Sequence, residues 1–363
     1  MKIKIERGVF HNSLSLASRF TSSKFSSLSS LSGVYLKMGG NEINMYSSDL
    51  NSYLHTKIKA KAEGKSECVI EPRKLLEFIS LLPEGELEVE IKEKQIVVKS
   101  GKTQGAFPLM KAEDFPFPPK IEEEEQILKT DFLIKNLPLV LFSASGDETR
   151  PALSGVNLLT NEDFVIVATD GFRLSLVKIE KNKELPSCII PAGFLKEILA
   201  LLKEEKEVGF SFSKKEKIIV FRIGETKLYS RLIEGDFPPF EKVIPEQKST
   251  TVVVERDEFL RNIKLVSVFA RDLSNIVILE VGKKELVLRP KTDGEEVNSA
   301  TIEAGIEGDE QKVAFNYKFL LELLSVVDAK NITIEIMRSD APVVFKTDNK
   351  NFIHIIMPVR IQE

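Results

Sequence analysis

Polar and apolar residues alternate along many short stretches of the chain, and this period-two pattern predicts β-strands with one buried face. Examples are EVEIKEKQIVVKS from residue 88 and ITIEIMRSDAPVVFK from residue 332. Strands grouped in hairpins around interspersed helices favour an α+β fold with antiparallel sheets over a doubly wound parallel sheet. Apolar residues at helical spacing predict six helices, over 6–25, 71–82, 130–145, 191–203, 255–271 and 315–328.

These elements recur in the same order three times along the chain. The tetrapeptide EDFP at 113–116 is followed 122 residues later by GDFP at 235–238. Gly33 and Gly155 are also 122 residues apart, and Cys68 and Cys188 are 120 apart. Near-equal copies of one unit predict a pseudo-symmetric object, because equivalent faces can pack on one another. The repeat predicts three domains, over 1–120, 127–245 and 250–363.

One of the predicted helices contains a proline. Pro138 lies inside the segment 130–145, where the ring removes a backbone hydrogen bond and clashes with the preceding turn. We therefore expect this helix to be bent or shortened.

Composition fits a globular chain and excludes several classes of protein. The 363 residues are 42% hydrophobic and 29% charged, with a net charge of −4. The apolar runs are shorter than the roughly 20 residues of a membrane span, and the N-terminus lacks a secretory signal. Cys68 and Cys188 are expected to be reduced and buried in strands. With three histidines and no Cys/His cluster, we expect no metal and no cofactor.

Acidic residues leave a catalytic alternative open. Asp170 in TDG, with Asp147 and Glu148, could form a metal or general-base site. Asp49 occupies the position of Asp170 in the first repeat, however, and a repeated Asp favours a turn-forming role. The chain has no phosphate-binding G-x-x-x-x-G-K-[ST] sequence and no identifiable nucleophile with a paired histidine. We therefore expect no catalytic residues.

Several motifs resemble those of the bacterial DNA sliding clamps, the beta subunit of the replicative DNA polymerase. They are RPALSG at 150–155, ATDGFRLSLV at 168–177, RLIEGDFPPFEKVIP at 231–245 and IIMPVRI at 355–361. The resemblance covers the whole chain and agrees with the threefold repeat. It implies a non-catalytic, cytoplasmic and nucleoid-associated processivity factor. Two subunits of three clamp domains each would form a ring, with sheets outside and two helices per domain lining a hole for duplex DNA.

A ring that slides on DNA needs sequence-independent attraction to phosphates. The six predicted helices hold 13 Lys/Arg and 10 Asp/Glu, a net charge of +3, in a chain whose total is −4. Lys24 and Arg150 match positions at which members of the family contact DNA. The cations expected to face the hole are Arg7, Arg19, Lys24, Arg73, Arg150, Lys196, Lys203, Arg261, Lys264 and Arg271.

The resemblance also implies a pocket in which partner proteins bind a short peptide, between the second and third domains. Its residue types suit apolar anchors, and Arg173 and Arg360 could orient peptide carbonyls or an acidic group. Phe172 stands where many relatives carry histidine. The pocket residues implied are Leu153, Thr169, Gly171, Phe172, Arg173, Leu174, Pro238, Lys242, Val243, Ile355, Ile356, Met357, Pro358, Val359, Arg360 and Ile361.

The implied partners are duplex DNA, the polymerase catalytic subunit, the clamp loader and a complex with 3′–5′ exonuclease activity. Repair polymerases, ligase and mismatch-repair proteins would use the same pocket, and no membrane is involved. The homodimer contact would join Phe107 and Leu109 of one subunit to Leu273 of the other. A scaffold that never encircles DNA is the alternative, and retention on circular but not on linear DNA distinguishes the two.

Overall fold

The computed structural model describes residues 1–22, 29–147, 149–160, 163–179, 186–202, 205–271, 274–291 and 298–360. Within them lie helices α1 (Arg7–Ser18), α2 (Pro72–Leu81), α3 (Thr130–Asn136), α4 (Pro138–Leu141), α5 (Ala192–Leu201), α6 (Arg256–Ala270) and α7 (Tyr317–Val326). In the first half of the chain the strands are β1 (Lys2–Glu6), β2 (Val34–Gly39), β3 (Glu42–Ser48), β4 (Ser52–Lys59), β5 (Lys61–Glu63), β6 (Lys65–Ile70), β7 (Glu86–Ile91), β8 (Gln95–Ser100), β9 (Thr103–Met110), β10 (Gln126–Lys129), β11 (Gly155–Thr160), β12 (Phe164–Thr169) and β13 (Arg173–Ile179). In the second half they are β14 (Cys188–Pro191), β15 (Glu207–Ser213), β16 (Ile218–Ile223), β17 (Thr226–Arg231), β18 (Thr250–Glu255), β19 (Ile276–Val281), β20 (Glu285–Pro290), β21 (Ala300–Glu303), β22 (Gly305–Gly308), β23 (Gln311–Asn316), β24 (Asn331–Ile336), β25 (Val343–Lys346) and β26 (Phe352–Ile356).

The chain folds into two compact units. Unit 1 comprises residues 1–130 and 200–232, and unit 2 comprises 131–199 and 233–363. The 13-stranded sheet of unit 1 has the order β10-β15-β16-β17-β4-β3-β2-β6-β9-β8-β7-β1-β5. Unit 2 holds a nine-stranded sheet, β14-β11-β12-β13-β26-β25-β24-β18-β22, and a four-stranded sheet, β21-β20-β19-β23. Neighbouring strands described here pair antiparallel, which confirms the predicted α+β class.

The two large sheets run across the boundaries of the sequence repeat. β17 of the second repeat pairs with β4 of the first, and β13 of the second repeat pairs with β26 of the third. The middle third of the chain therefore contributes strands to both units.

Helices α2, α6 and α7 begin where a side chain accepts a hydrogen bond from a free backbone N–H group. Pro72 starts α2, and the side chain of Glu71 accepts a 3.0 Å hydrogen bond from the Arg73 N–H. Asn316 accepts a 3.1 Å bond from the Lys318 N–H at the start of α7. Each helix then buries its apolar stripe, so that Phe259, Ile263 and Val266 of α6 lie in the core.

Pro138 divides the helix predicted over 130–145 into two short pieces. α3 ends at Asn136, and α4 begins at Pro138 after Leu137. Leu137, between the two pieces, keeps helical backbone angles, so the helix is interrupted without a sharp change in the direction of the backbone. The expected shortening of this helix is confirmed.

The matched glycines of the first and second repeats have one packing role. A Cβ on Gly33 would lie 2.5 Å from Cγ1 of Val69, and a Cβ on Gly155 would lie 2.5 Å from Cγ2 of Ile189. Gly33 immediately precedes β2 and Gly155 is the first residue of β11, and each lies against the neighbouring strand of its sheet. The two repeats therefore share a close contact between a glycine and the neighbouring strand.

Candidate functional site

Unit 2 contains a cavity of about 240 Å³, which we call the apolar cavity. Its walls come from the turn between β12 and β13, from residues 238–243 and from the end of β26. Aliphatic, aromatic and proline side chains dominate the surface, as in sites that receive apolar groups. The lining residues are Leu153, Thr169, Gly171, Phe172, Arg173, Leu174, Pro238, Pro239, Phe240, Val243, Ile355 and Met357.

The turn between β12 and β13 is fixed by side-chain hydrogen bonds to its own backbone. Oδ1 of Asp170 accepts from the N–H groups of Phe172 and Arg173, both at 2.9 Å. The hydroxyl of Thr169 donates to the Arg173 carbonyl at 2.6 Å and accepts from the Gly171 N–H at 3.1 Å. Gly171 has φ +89°, a conformation that favours glycine. This rigid turn presents Phe172, which is 62% exposed, at the cavity rim.

Arg173 contacts two carboxylates and two aromatic rings. Its Nε bonds Oδ2 of Asp170 at 3.0 Å, and its Nη1 pairs with the carboxylate of Glu322. The guanidinium carbon lies 4.5 Å from the ring centroid of Phe319 and 5.5 Å from that of Phe142. Because two carboxylates already neutralise this 8% exposed side chain, it shapes the cavity wall more than it offers a charge to a ligand.

The last strand supplies the remaining wall of the cavity. Leu174 and Ile355 are register partners in the β13–β26 pair. Beyond the strand, the Met357 N–H donates to the Phe172 carbonyl and the Val359 N–H donates to the Ala314 carbonyl, both at 2.8 Å. The segment after β26 is therefore tied into unit 2.

A neutral polar network lies beneath β13 and β26. The hydroxyls of Ser143 and Ser175 are 2.7 Å apart, and Ser175 Oγ lies 2.7 Å from Nδ1 of His354. Burial, assisted by the positive charge of Arg173, lowers the pKa of His354 to about 3. The imidazole is therefore uncharged at neutral pH, and it adds no charge below the apolar cavity.

The segment that begins with the second copy of the repeated tetrapeptide packs against the sheet beside the cavity. Phe237, within the tetrapeptide, is partly buried against the cluster that contains Leu174 and Ile355, and its ring is 6.3 Å from that of Phe240, which is buried in the same cluster. In the first copy, Phe115 is buried against Tyr35. The repeated Asp-Phe-Pro sequence thus places a phenylalanine on a sheet in each case.

Ten of the sixteen residues assigned to a peptide pocket line the apolar cavity. The buried side chain of Ile356 points to the opposite face of β26 from its neighbour Ile355, because side chains alternate along a strand. Those outside the lining are Lys242, Ile356, Pro358, Val359 and Arg360, and Ile361 lies outside the described residues.

Two lining residues, Pro239 and Phe240, were not among the predicted ones. The run GDFPPF at 235–240 carried the signal, because consecutive prolines beside an aromatic residue form a stiff apolar wall. Within this run, the resemblance to the family implied only Pro238 as a pocket residue.

The predicted DNA-facing residues that the structure describes are exposed on helices or beside them. Arg73 lies on α2, Lys196 on α5, and Arg261 and Lys264 on α6. Arg271 follows α6, and Arg150 precedes the short helical turn 151–154. Lys24 and Lys203 lie outside the described residues.

Arg7 makes contacts at the end of α2. Its guanidinium donates to the carbonyls of Ile79 at 3.1 Å and Ser80 at 2.7 Å, at the end of α2, and pairs with Glu84. It therefore satisfies the free carbonyls of a helix C-terminus.

The predicted dimer residues of unit 1 lie on a partly unpaired strand. Phe107 and Leu109 are half-buried on β9, and the rings of Phe107 and Phe78 are 5.5 Å apart. β9 pairs with β8 through residues 103–108, and with β6 only through Leu109 and Met110. Leu273 lies outside the described residues.

Asp170 and Asp147, two residues of the catalytic alternative, act as turn formers. Asp170 closes its turn as described, and Asp49 accepts the equivalent bonds from the N–H groups of Asn51 and Ser52. Hydrogen bonds from Thr149 lower the pKa of Asp147. Glu148 lies outside the described residues, and those that are described contain no group of three or more His, Cys, Asp or Glu placed to bind a metal ion. No helix among the same residues is long and apolar enough to cross a membrane.

Three family models match consecutive parts of the chain. The DNA polymerase III beta subunit N-terminal domain matches residues 1–119, its central domain matches 127–239, and its C-terminal domain matches 241–360. Together they match nearly the whole sequence in the order of the family.

Curated and solved proteins agree with these matches. The beta sliding clamp of Synechococcus elongatus is 27% identical over 378 residues, covering 100% of both chains. The solved sliding clamp of Bacillus subtilis is 25% identical with a TM-score of 0.88, also covering 100% of both. The DNA polymerase III beta subunit of Thermotoga maritima has a TM-score of 0.90 at 24% identity, covering 99% of this chain and 100% of that one.

Proposed function

Because the chain belongs to the DNA polymerase III beta subunit family, the bacterial sliding clamps, we propose that it is a non-catalytic processivity factor for a replicative DNA polymerase. Two copies form a ring around duplex DNA in the cytoplasm, and the ring slides while its partners remain tethered to it. The observation that carries this function is the match of three beta-subunit domains, in order, along one chain. The domains extend over 1–120, 127–245 and 250–363.

We assign the docking of partners to the apolar cavity. A space of about 240 Å³ lined by Leu174, Val243 and Ile355 suits adjacent apolar side chains of an extended peptide. Met357 is 37% exposed at the rim, and its flexible thioether suits a site that serves several partners. The polymerase, the clamp loader, repair polymerases, ligase and mismatch-repair proteins are the partners we propose.

DNA is held by confinement and by the phosphate-directed charge of the helices. Exposed cations on α2, α5 and α6, such as Arg73, Lys196 and Arg261, attract the duplex without reading bases. Attraction of this kind allows sliding, because every position along the duplex offers the same phosphates.

The homodimer is proposed to form through β9 of unit 1 and the end of α6 in unit 2. β9 presents a free edge and the half-buried side chains of Phe107 and Leu109. α6 exposes Leu265, Val268 and Phe269, which are 54%, 58% and 49% exposed. Apolar groups on a charged helix favour burial against a partner.

Retention on circular DNA tests the ring. The protein is loaded onto a nicked circular plasmid by the clamp loader of the same organism, and the complex is separated from free protein by gel filtration. We expect retention on the circle at high salt and complete loss after one restriction cut. Equal retention on circular and linear DNA would contradict encirclement and support a surface scaffold. Light scattering should give the mass of a dimer of the 40.8 kDa chain.

A synthetic peptide tests the docking site separately. The probe is acetylated Ser-Leu-Ser-Leu-Phe amide, whose adjacent leucine and phenylalanine supply two apolar anchors. Isothermal titration calorimetry should give one bound probe per chain. Absence of binding would contradict the assignment of the apolar cavity while leaving the ring untouched.

A further inference from the structure

The backbone segments that surround the apolar cavity are a turn, the strand pair beside it and a proline-containing segment, and we call them the frame. An equivalent frame occurs in unit 1. In the turn between β3 and β4, Oδ1 of Asp49 accepts from the N–H groups of Asn51 at 3.0 Å and Ser52 at 2.6 Å. The hydroxyl of Ser48 accepts from the Leu50 N–H at 2.9 Å. Asp170 and Thr169 make the same bonds in the turn between β12 and β13. The two turns are offset by 121 residues, and they have the same hydrogen-bonded form.

The neighbouring strand repeats as well. Tyr53 and Tyr229 are register partners in the β4–β17 pair, in the places that Leu174 and Ile355 take in the β13–β26 pair. Just past the strand, the Arg231 N–H donates to the Asn51 carbonyl at 2.8 Å. In unit 2 the equivalent hydrogen bond runs from the Met357 N–H to the Phe172 carbonyl and is also 2.8 Å long.

The wall formed by residues 238–243 also has an equivalent segment in the first repeat. Pro116 precedes Pro238 by 122 residues, and Ile121 precedes Val243 by the same number. Leu31, in the short helical turn 29–32, corresponds to Leu153 in the turn 151–154. Each wall of the apolar cavity therefore has a counterpart in unit 1.

The side chains that fill the two frames differ. Tyr53 and Tyr229 are only 6% and 8% exposed, and they pack with Ile121, Ile218 and Val220. The phenol of Tyr53 donates to the Leu50 carbonyl at 3.3 Å. Two rings thus occupy the place that Leu174 and Ile355 leave open in unit 2.

Further contacts in unit 1 involve Leu50, which lies in the turn between β3 and β4. Leu50 stands in the place of Gly171 and keeps φ +74°, although a leucine is strained there. Nε of Arg231, in the place of Met357, donates to the Leu50 carbonyl at 3.1 Å. The carbonyl of the strained residue therefore receives bonds from both Tyr53 and Arg231, which hold the closed form in place.

We propose that unit 1 contains a second docking frame for an extended peptide with apolar anchors, and that Tyr53 and Tyr229 keep it closed. These two tyrosines are specificity-determining residues, because they limit each chain to one bound peptide. The inference rests on the proposed docking function of the apolar cavity. It adds that one backbone frame occurs twice and that the side chains filling it decide which copy is open.

Opening the closed frame tests the inference. The triple variant Leu50→Gly, Tyr53→Leu and Tyr229→Ile gives the unit 1 frame the side chains of the unit 2 frame at three positions. Calorimetric titration with acetylated Ser-Leu-Ser-Leu-Phe amide should rise from one to two bound probes per chain. The matched control, Tyr53→Phe with Tyr229→Phe, keeps the rings and should stay at one. Circular dichroism verifies that each variant is folded.

The reciprocal variant keeps the inference testable if the triple variant does not fold. Leu174→Tyr with Ile355→Tyr places the two rings in the open frame, and we expect probe binding to fall at least 100-fold. A folded triple variant that still binds one probe overturns the inference, as does unchanged binding by the reciprocal variant. A wild-type chain that binds no probe would instead overturn the docking function itself, and this inference with it.

Discussion

The backbone N–H of Met357 donates a 2.8 Å hydrogen bond to the carbonyl oxygen of Phe172. This bond joins the end of the last strand of unit 2 to the turn that follows β12. It places the thioether of Met357 and the ring of Phe172 at the rim of one cavity. A site built from segments so distant in sequence exists only when the sheet is complete.

Replacing Met357 should weaken docking without unfolding the protein. Met357→Ala removes apolar surface from a residue that is 37% exposed, so we expect probe affinity to fall about tenfold, or about 1.4 kcal/mol. The unfolding free energy should change by less than about 1 kcal/mol. Met337→Ala is the matched control, since Met337 is 39% exposed and lies outside the cavity lining. Equal reductions of affinity in both variants would contradict the site.

Arg173 should not tolerate exchange for lysine. Arg173→Lys keeps one charge, but an ammonium group cannot pair with Asp170 and Glu322 together while stacking on Phe319. We expect the unfolding free energy, measured by urea denaturation, to fall by about 2 kcal/mol. Arg338→Lys, in an exposed pair with Asp340, should cost under about 1 kcal/mol. If the two variants are equally stable, the buried arrangement of Arg173 is wrong.

His354 should make the protein sensitive to acid. Its pKa is about 3 when folded and about 6.5 when unfolded, so the unfolded chain binds an extra proton between these values. The unfolding free energy should therefore decrease as the pH falls through this window, by up to about 1.4 kcal/mol per pH unit.

Removing the imidazole should reduce that sensitivity. Between pH 6.5 and pH 4.5, His354→Phe should lose about 2–3 kcal/mol less than the wild type. His11→Gln, a change on α1, is the control for the loss of a histidine. Parallel pH curves for wild type and His354→Phe in urea denaturation would contradict the buried neutral imidazole.

The two equivalent turns should differ in how well they tolerate an exchange between glycine and leucine. Gly171→Leu places a side chain at φ +89° and should lower the unfolding free energy by about 1–2 kcal/mol. Leu50→Gly relieves the strain at φ +74° but makes the unfolded chain more flexible, so its net effect should stay within about 1 kcal/mol. Thermal unfolding of both variants checks the pair, and a larger loss from Leu50→Gly would refute the argument.

The salt dependence of the affinity for duplex DNA should identify the cations that contact DNA phosphates. Binding of a fluorescent duplex is measured by anisotropy against NaCl concentration, and removing one cation that neutralises a phosphate should reduce the logarithmic slope by about 0.9. We expect a reduced slope when Arg73, Lys196, Arg261 and Lys264 are replaced by glutamine. Lys215→Gln, at a 90% exposed side chain in the turn after β15, should leave the slope unchanged. A slope unaffected by the four replacements would exclude these residues from the DNA path.

Local patterns in the sequence determined the elements and their repetition. Alternation predicted the strands, helical spacing predicted the six helical segments, and the 122-residue offset of Gly33 and Gly155 predicted that one unit is repeated. Asp49 and Asp170 were predicted as turn formers, and their hydrogen bonds confirm it. Such features can be predicted because each depends on neighbours within a few residues, or on copies of the same pattern.

Only the tertiary structure decided which strands meet across the repeats and what fills each turn. Nothing in the local sequence pairs Arg173 with Glu322, buries His354 against Ser175, or closes one frame with Tyr53 while leaving the other open at Leu174. These contacts join residues far apart in the chain, and sheet register and packing volume select them. A pattern of polar and apolar positions specifies that a side chain is buried, but not which neighbour it meets or whether space remains beside it.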